Sequence, residues 1–277
     1  MIKKAIIPAA GFGTRSLPVT KVVPKELFPI HNRPSIQYVV EEAAAAGIEQ
    51  ILIIVSRSKN LIIDYFDHSL ELEMFLQKAN KSALMEKVKL PDIKFYSTRQ
   101  PFARGLGDAV RLGREFVGND PFAVLLPDDI IIGGGLGELT KVYDETKSHV
   151  VALKTVEEEF LKNYGVVQVK QEQDDLYEVL DIIEKPQTNP PSNLAVIGRY
   201  VFNPSIMDAL DEQKPGAGDE IQLTDSIKKV LDSEKCHGKL LSGERYDIAM
   251  TEEYIALQRY LQDMKKYCLK SGQGSLT

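Results

Sequence analysis

Cysteine is nearly absent: Cys236 and Cys268 are the only two in 277 residues. Two thiols are too few for a disulfide framework, so the chain reads as a protein of a reducing compartment. No stretch approaches the roughly 18–20 consecutive apolar residues that cross a bilayer, which excludes a transmembrane helix. The opening MIKKAIIPAAG has two lysines but no long apolar core before its first glycine. It reads as a strand entering a loop, not as a signal peptide. Cationic excess is missing too. Lys and Arg total 34 against 40 Asp and Glu, a net charge of -6, so the total points to neither nucleic acid nor an anionic membrane as partner. The histidines His31, His68, His149 and His237 are scattered without metal-ligand spacing. No Ser-His-Asp or Cys-His constellation can be picked out. Repeats, linkers and low-complexity segments are lacking. A soluble cytoplasmic protein is expected, and most proteins of that description are enzymes.

Apolar residues make up 43% and charged residues 27%, which allows a sizeable core and argues against disorder. At roughly 150 residues per domain, the length allows one large domain or two small ones. Strand-like and helix-like stretches alternate in the first half. Ala5–Ala9 leads into a glycine-rich loop. Pro34–Gly47 is helix-like, with proline near its start and glycine at its end. Ile51–Val55, Ile93–Ser97 and Phe122–Leu126 read as short apolar strands, as in a parallel sheet buried on both faces. Leu61–Phe66, Leu70–Met85 and Leu106–Val117 read as helices. In the second half, Val150–Val156, Gly165–Val169, Leu176–Ile183 and Leu194–Phe202 are strand candidates, with Gln171–Asp175 as a solvated hairpin turn. Helices return at Pro204–Leu210, Thr224–Leu231 and Thr251–Lys266. The expected fold class is α/β: one Rossmann-like mixed, mostly parallel sheet flanked by helices, with a small added β region. The apolar spacing of the last helix suits packing on the core or on a second copy, as in a homodimer or homotetramer.

The first strand runs into Ala9-Ala10-Gly11-Phe12-Gly13-Thr14-Arg15. Gly11 and Gly13 let backbone N–H groups approach an anion, and the Arg15 guanidinium suits phosphate. The loop is neither a P-loop, for want of Gly-Lys-Ser/Thr, nor a dinucleotide fingerprint, since Ser16 stands where the third glycine belongs. A plain tight turn fits a lone GxG equally well. The next segment holds Thr20, Lys21, Lys25 and Glu26 among Pro18, Pro24 and Pro29, so it cannot be a regular helix. Arg15, Lys21 and Lys25 there suggest a polyphosphate cradle, or else a solvated basic loop.

Gln100 and the glycines Gly105 and Gly107 come next. A glutamine amide both donates and accepts, which suits the edge of a uracil, and the glycines allow close approach. A helix start capped by Gly-Asp is compatible with either reading. Leu126-Pro127-Asp128-Asp129 ends a buried strand, where ligands bind in open α/β sheets. Mg²⁺ prefers one or two carboxylates plus phosphate oxygens and water. Asp128 is therefore the best metal ligand, with Asp129 orienting it, unless the pair merely builds a β-turn. In Glu184-Lys185-Pro186 the carboxylate could take sugar hydroxyls and the ammonium a phosphate, though alone this tripeptide would be a surface turn.

Taken in order, these motifs carry a resemblance. GFGTRSLPVTKVVPKELFPI (Gly11–Ile30), Gln100 with Gly105, Pro127-Asp128, Tyr164-Gly165, Glu184-Lys185-Pro186, PSNLAVIGRYVF (Pro191–Phe202) and Gly218–Asp225 resemble the sugar-nucleotide pyrophosphorylases. Within that family they are most similar to the bacterial UTP–glucose-1-phosphate uridylyltransferases. The resemblance implies a glycosyltransferase-A-like nucleotidyltransferase fold that converts UTP and glucose 1-phosphate to UDP-glucose and pyrophosphate with Mg²⁺. It implies that Ala9, Ala10, Gly11, Gly13 and Thr14 wrap the nucleotide, and that Arg15 and Lys25 are catalytic. Gln100 and Gly105 would read uracil. Asp128 would hold the metal beside the nucleotide, and Asp247 would be a second metal contact. Gly165, Glu184 and Gly198 would flank glucose, and Lys185 would hold its phosphate. Residues 1–277 would form one domain: 1–150 mainly for the nucleotide, 151–250 for the sugar phosphate, and 251–277 a C-terminal helix and tail. Ala249 departs from the family's Asp-Ile-Gly two residues beyond Asp247. The alternatives are another nucleotide and sugar 1-phosphate pair, or a catalytically silent homologue that binds nucleotide sugar.

Overall fold

The central strands are apolar on both sides because both sides are covered. In the computed structural model, which describes residues 1–216 and 219–271 and side chains through Lys265, the chain opens with strand β1 (Lys4–Ala9). A two-residue ribbon, β2 (Pro29–Ile30) and β3 (Arg33–Pro34), precedes helix α1 (Ser35–Ala45). Then come β4 (Gln50–Val55), α2 (Asn60–Phe66), α3 (Leu70–Lys78), α4 (Ser82–Val88), β5 (Lys94–Arg99), α5 (Leu106–Arg111), α6 (Arg114–Val117) and β6 (Phe122–Leu125). The second half runs β7 (Asp129–Ile132), α7 (Leu136–Thr146), β8 (His149–Thr155), β9 (Gly165–Gln173), β10 (Leu176–Glu184) and β11 (Leu194–Phe202). It closes with α8 (Ser205–Glu212), α9 (Leu223–Val230), β12 (Cys236–Leu240), β13 (Glu244–Asp247) and α10 (Thr251–Ser271).

Nine strands form one sheet in the order β5-β4-β1-β6-β11-β8-β12-β10-β9. The first four are parallel, as expected of strands separated by helices. β11 enters antiparallel between β6 and β8, and β9 and β10 form an antiparallel hairpin. The added β strands therefore extend the main sheet. An extra pairing of Ala195 with Val166 folds the far end back, which brings the start of β9 against β11. Alternate residues feed two cores. Ile51, Ile53 and Val55 join the cluster under α1 and α7, while Leu52 and Ile54 join the one under α5, α8 and α9.

Two expected helices are each broken in two. The Leu70–Met85 stretch splits at Asn80, which takes φ 53° between α3 and α4, a left-handed conformation that asparagine tolerates. The Leu106–Val117 stretch splits at Gly113, where a Cβ would clash with the Ile6 side chain. Three short strands, β7, β12 and β13, carry no periodic apolar signal and were not expected as strands. Gly218 and the Cys268 side chain lie outside the described residues. Cys236 is buried and not in a disulfide, its thiol pushed up to about 12 by desolvation. Among the described residues no helix is long and apolar enough to cross a membrane.

One buried cation holds the centre together. Arg199 on β11 has no exposed surface. Its Nε and Nη2 donate to the two oxygens of Glu42 on α1, at 2.9 and 2.7 Å. Its remaining donors reach the carbonyls of Leu126 (3.1 Å), Gly198 (2.8 Å) and Asp129 (2.7 Å). Truncating such a residue removes five hydrogen bonds and the cation that neutralises a partly buried carboxylate. Arg199→Ala is expected to lose about 3–5 kcal/mol of stability. Denaturant unfolding checks this, and a loss under about 1 kcal/mol would show that the bonds contribute little net.

Candidate active site

The site lies where β1, β4, β5 and β6 end, the edge at which a parallel sheet leaves room for ligands. Gly13 takes φ 67°, and a Cβ there would sit 2.9 Å from Thr20 Cγ2. Thr20 Oγ1 donates to the Gly13 carbonyl at 2.8 Å, folding the loop onto the segment that follows. That segment is three single 3-10 turns, Thr14–Ser16, Val19–Lys21 and Lys25–Leu27, as its prolines require. The last turn points neighbouring side chains opposite ways. Lys25 turns toward the end of β6, where its Nζ donates to Asp128 Oδ2. Glu26 turns inward, fully buried, and accepts from Lys59 Nζ at 2.7 and 2.8 Å. Lys21 is exposed on the middle turn.

Asp128 and Asp247 face each other across Arg15. Arg15 Nη1 lies 3.0 Å from Asp247 Oδ2, and its Nη2 lies 3.9 Å from Asp128 Oδ2. Register places Asp247 on β13 opposite Asp129 on β7. Asp129 does not turn toward Asp128. Its Oδ1 accepts from Arg245 Nε at 2.8 Å and from Nη2, and its Oδ2 accepts from Gly198 N at 2.8 Å. Gly198 is thus buried beneath the Asp128 loop, where a Cβ would clash with Asp129 Oδ2 and stand 2.7 Å from Leu126 Cβ. In this structure it supports the loop rather than lining the cleft. Asp247 Oδ1 accepts from Ala249 N at 2.9 Å, so the backbone at the divergent alanine helps to hold this carboxylate.

Electrostatics follow from these pairings. Burial opposes the charge on Lys25, yet Asp128, and then Glu26, outweigh it and hold the ammonium above its ordinary value. Burial likewise opposes ionisation of Asp128, but the Lys25 charge and hydrogen bond keep the carboxyl below its usual range. Asp129 goes the other way. Burial is the largest effect, Arg245 only partly offsets it, and the nearby Asp128 and Asp247 charges add to it.

A cleft of about 390 Å³ opens beside the glycine loop, lined by Ala10, Phe12, Ser56, Arg57, Gln100 and Pro101 among others. Gln100 follows β5 and is nearly buried, its N–H donating to Val55 O at 2.9 Å. Its Nε2 donates to Gly105 O (3.2 Å) and Asp108 Oδ2 (2.8 Å). Gly105 takes φ 98°, and a Cβ there would stand 2.7 Å from Ile221 O. Gly107 N donates to Ile221 O and Ile221 N to Arg104 O, at 2.8 and 2.7 Å. The segment before α9, expected to be mainly structural, thereby latches this loop.

The third part of the site is the hairpin β9–β10, where Glu184 pairs with Gly165. Thr224, at the start of α9, donates from Oγ1 to Glu184 Oε2 at 2.6 Å. A Cβ on Gly165 would stand 3.3 Å from that hydroxyl oxygen, so the glycine keeps the contact open. Lys185 is half-exposed, and its Nζ lies 3.3 Å from Glu184 Oε1. Lys59, Arg245 and the Ser56–Arg57 turn carry no motif signal, and Arg199 and Thr224 lie inside quoted motifs without having been singled out. A hydrogen-bonded row of Ser148, His237 and Glu172 also exists. It lies at the opposite edge of the sheet, near the starts of β8 and β12, and its serine and histidine are buried, so it serves packing.

A phosphate-sized cradle of paired charges, a base-sized cleft and a carboxylate–ammonium pair on one sheet edge suit transfer of a nucleotidyl group. The model of the nucleotidyl transferase family matches residues 4–263, and the chain belongs to that family. Its relatives narrow the class. The chain is 50% identical over 269 residues, covering 96% of itself and 98% of its relative, to a Bacillus subtilis (strain 168) protein provisionally named UTP–glucose-1-phosphate uridylyltransferase. It is 46% identical over 252 residues to the UTP–glucose-1-phosphate uridylyltransferase of Staphylococcus haemolyticus (strain JCSC1435), covering 89% and 88% of the two chains. A crystal structure of UDP-glucose pyrophosphorylase complexed with UDP-glucose superposes with a TM-score of 0.86 at 39% identity, over 95% of this chain and 100% of that one.

The shifted groups set a pH window. Asp128 titrates below 3.8 in the folded chain, so its contribution to stability is present above that value and lost as pH falls through the folded one. Lys25 titrates above 10.5, so its contribution is present below that value and lost only in stronger alkali. The stability gap between the wild type and Asp128→Asn is expected to stay flat from about pH 5 to about pH 10 and to shrink in acid. Thermal unfolding across pH measures it. A gap that closes near neutrality would contradict the pairing.

Proposed function

We propose that this enzyme transfers a uridylyl group from UTP to glucose 1-phosphate, releasing pyrophosphate and forming UDP-glucose. The observation that carries the reading is the cluster of Lys25, Arg15, Asp128 and Asp247, in which two cations meet two carboxylates. We read residues 1–277 as one catalytic domain, in keeping with a single sheet that carries both halves of the site. The few thiols support a cytoplasmic setting, and a homo-oligomer remains part of the proposal.

The nucleophile, an oxygen of the sugar phosphate, is already anionic, so no general base is required. That oxygen bonds to the α-phosphorus as the bond to the bridging oxygen breaks, and the electron pair leaves with pyrophosphate. The difficulty is to bring anions together and to stabilise charge on the leaving group. Lys25 supplies positive charge at the α-phosphate once it leaves Asp128. Arg15 meets the outer phosphates. Ala9, Ala10, Gly11, Gly13 and Thr14 present backbone to the nucleotide, and Gln100 and Gly105 take the uracil. Lys185 holds the sugar phosphate, while Gly165 and Glu184 seat the sugar.

The donor set fits Mg²⁺. Two carboxylates, Asp128 and Asp247, converge on one cation, the Arg15 guanidinium, in the free chain. Among the described residues no group of three or more potential ligands forms a metal cage, which suits an ion that completes its shell with phosphate and water. Asp128 and Asp247 would hold it, and when bound it neutralises phosphate oxygens.

Lys25→Ala is expected to keep its fold and lose on the order of 10²–10³ in turnover. Pyrophosphate release from UTP and glucose 1-phosphate, with and without Mg²⁺, measures it. Near-normal turnover in the variant would overturn the role of the lysine. No release by the wild type with any sugar 1-phosphate would favour a silent homologue.

A further inference from the structure

Asp108 takes no part in the chemistry proposed above, yet it sits one layer behind the base cleft. It lies in the first turn of α5 and is only 5% exposed. Its two oxygens have different partners. Oδ1 accepts from Arg111 Nη2 at 2.6 Å, one turn along the same helix, and Oδ2 accepts from Gln100 Nε2 at 2.8 Å. The second acceptor for Gln100 Nε2 is the Gly105 carbonyl at 3.2 Å. An ionised carboxylate and a carbonyl only accept, and a primary amide nitrogen has two hydrogens to give. Both hydrogens of Gln100 are therefore directed away from the cleft. The amide cannot turn over without setting its oxygen against two acceptors.

We infer that Asp108 is a positioning residue that sets base specificity: it fixes the Gln100 amide so that the cleft is offered Oε1 alone. Among pyrimidines, an edge that only accepts selects the base whose N3 carries a hydrogen, which is the imide of uracil or thymine. It repels cytosine, whose N3 is itself an acceptor. A freely turning glutamine would offer a donor or an acceptor on demand and tell the pyrimidines apart poorly. Arg111 belongs to the same device. It pairs with the far oxygen of Asp108 and leaves Oδ2 for Gln100. The surrounding backbone holds the distance, since Gly105 and Gly107 are pressed against Ile221. This inference rests on the uridylyltransferase reading, because it presumes that the cleft takes a pyrimidine.

The test compares kcat/KM for UTP and CTP, with glucose 1-phosphate saturating, in wild type, Asp108→Leu and Asp108→Asn. Leucine keeps the volume and removes both acceptors. Asparagine keeps the shape and replaces one acceptor with a donor. The UTP:CTP ratio is expected to fall at least tenfold in Asp108→Leu. The change should lie chiefly in the nucleotide KM, with the glucose 1-phosphate KM and the kcat for UTP changed by less than about threefold. A residue that merely supports the fold would weaken both nucleotides in parallel and leave the ratio alone. An unchanged ratio in the folded variants overturns the inference while the uridylyltransferase reading stands. A wild type that prefers CTP or a purine nucleotide to UTP overturns that reading itself, and the inference with it. Should Asp108→Leu fail to give a cooperative unfolding transition, Asp108→Asn is judged by the same ratio. Should that fail as well, Arg111→Gln is, with a fall of at least threefold expected.

Discussion

Two buried guanidinium groups hold the four-residue turn Leu126–Asp129, and the site depends on that grip. Arg199 binds the carbonyls at both ends of the turn and is neutralised by Glu42. Arg245 binds the Asp129 carboxylate, whose other oxygen takes the N–H of Gly198. The result is a rigid shelf at the end of β6 that leaves a single carboxylate, Asp128, facing the cleft. Both cations are buried, and removal of a carboxylate partner would leave buried positive charge less well compensated. Asp129 is therefore not a spare ligand. Burial opposes its charge, and Arg245 partly offsets that opposition.

On that shelf the reacting groups neutralise one another until phosphates arrive. The formal total of the chain is -6, yet Arg15, Lys25 and Lys185 gather at one edge, each against a carboxylate. On the proposed reading, a triphosphate would offer the same cations more charge than Asp128 or Asp247 does, and would free those carboxylates. The carboxylates meanwhile hold the basic groups in place. Rotamers already fixed cost less to organise when ligand binds, which favours a mechanism made of position and charge.

How far the sequence reveals this depends on where the partners lie along the chain. Gly13, Lys25, Asp128, Gln100 and Glu184 could be picked out as candidates because each stands in a short motif, and the ordered resemblance of those motifs, more than any one spacing, singled them out. Eight of the nine strands of the main sheet were legible from their apolar runs, and β12 was not. What escaped were partners fixed by long-range contacts: Glu42 with Arg199 across 157 positions, Asp129 with Arg245 across 116, Glu184 with Thr224 across 40, and Glu26 with Lys59 across 33. No local pattern marks such pairs. Gly198 illustrates the converse. Its place in a motif suggested the sugar, whereas packing assigns it to Asp129. The broken helices escaped for a related reason. Gly113 must be small because Ile6, far away in sequence, lies against it.

The central claim is that Lys25 and Arg15 exchange carboxylates for phosphates while the shelf beneath stays still. A crystal structure of the chain with UTP and Mg²⁺ tests it most directly. The account predicts Lys25 Nζ within hydrogen-bond reach of the α-phosphate, Arg15 on the outer phosphates, Gln100 Oε1 on the uracil N3–H, and the bonds of Arg199 and Arg245 unchanged. A complex in which Lys25 remains on Asp128 with the triphosphate lodged elsewhere would contradict it.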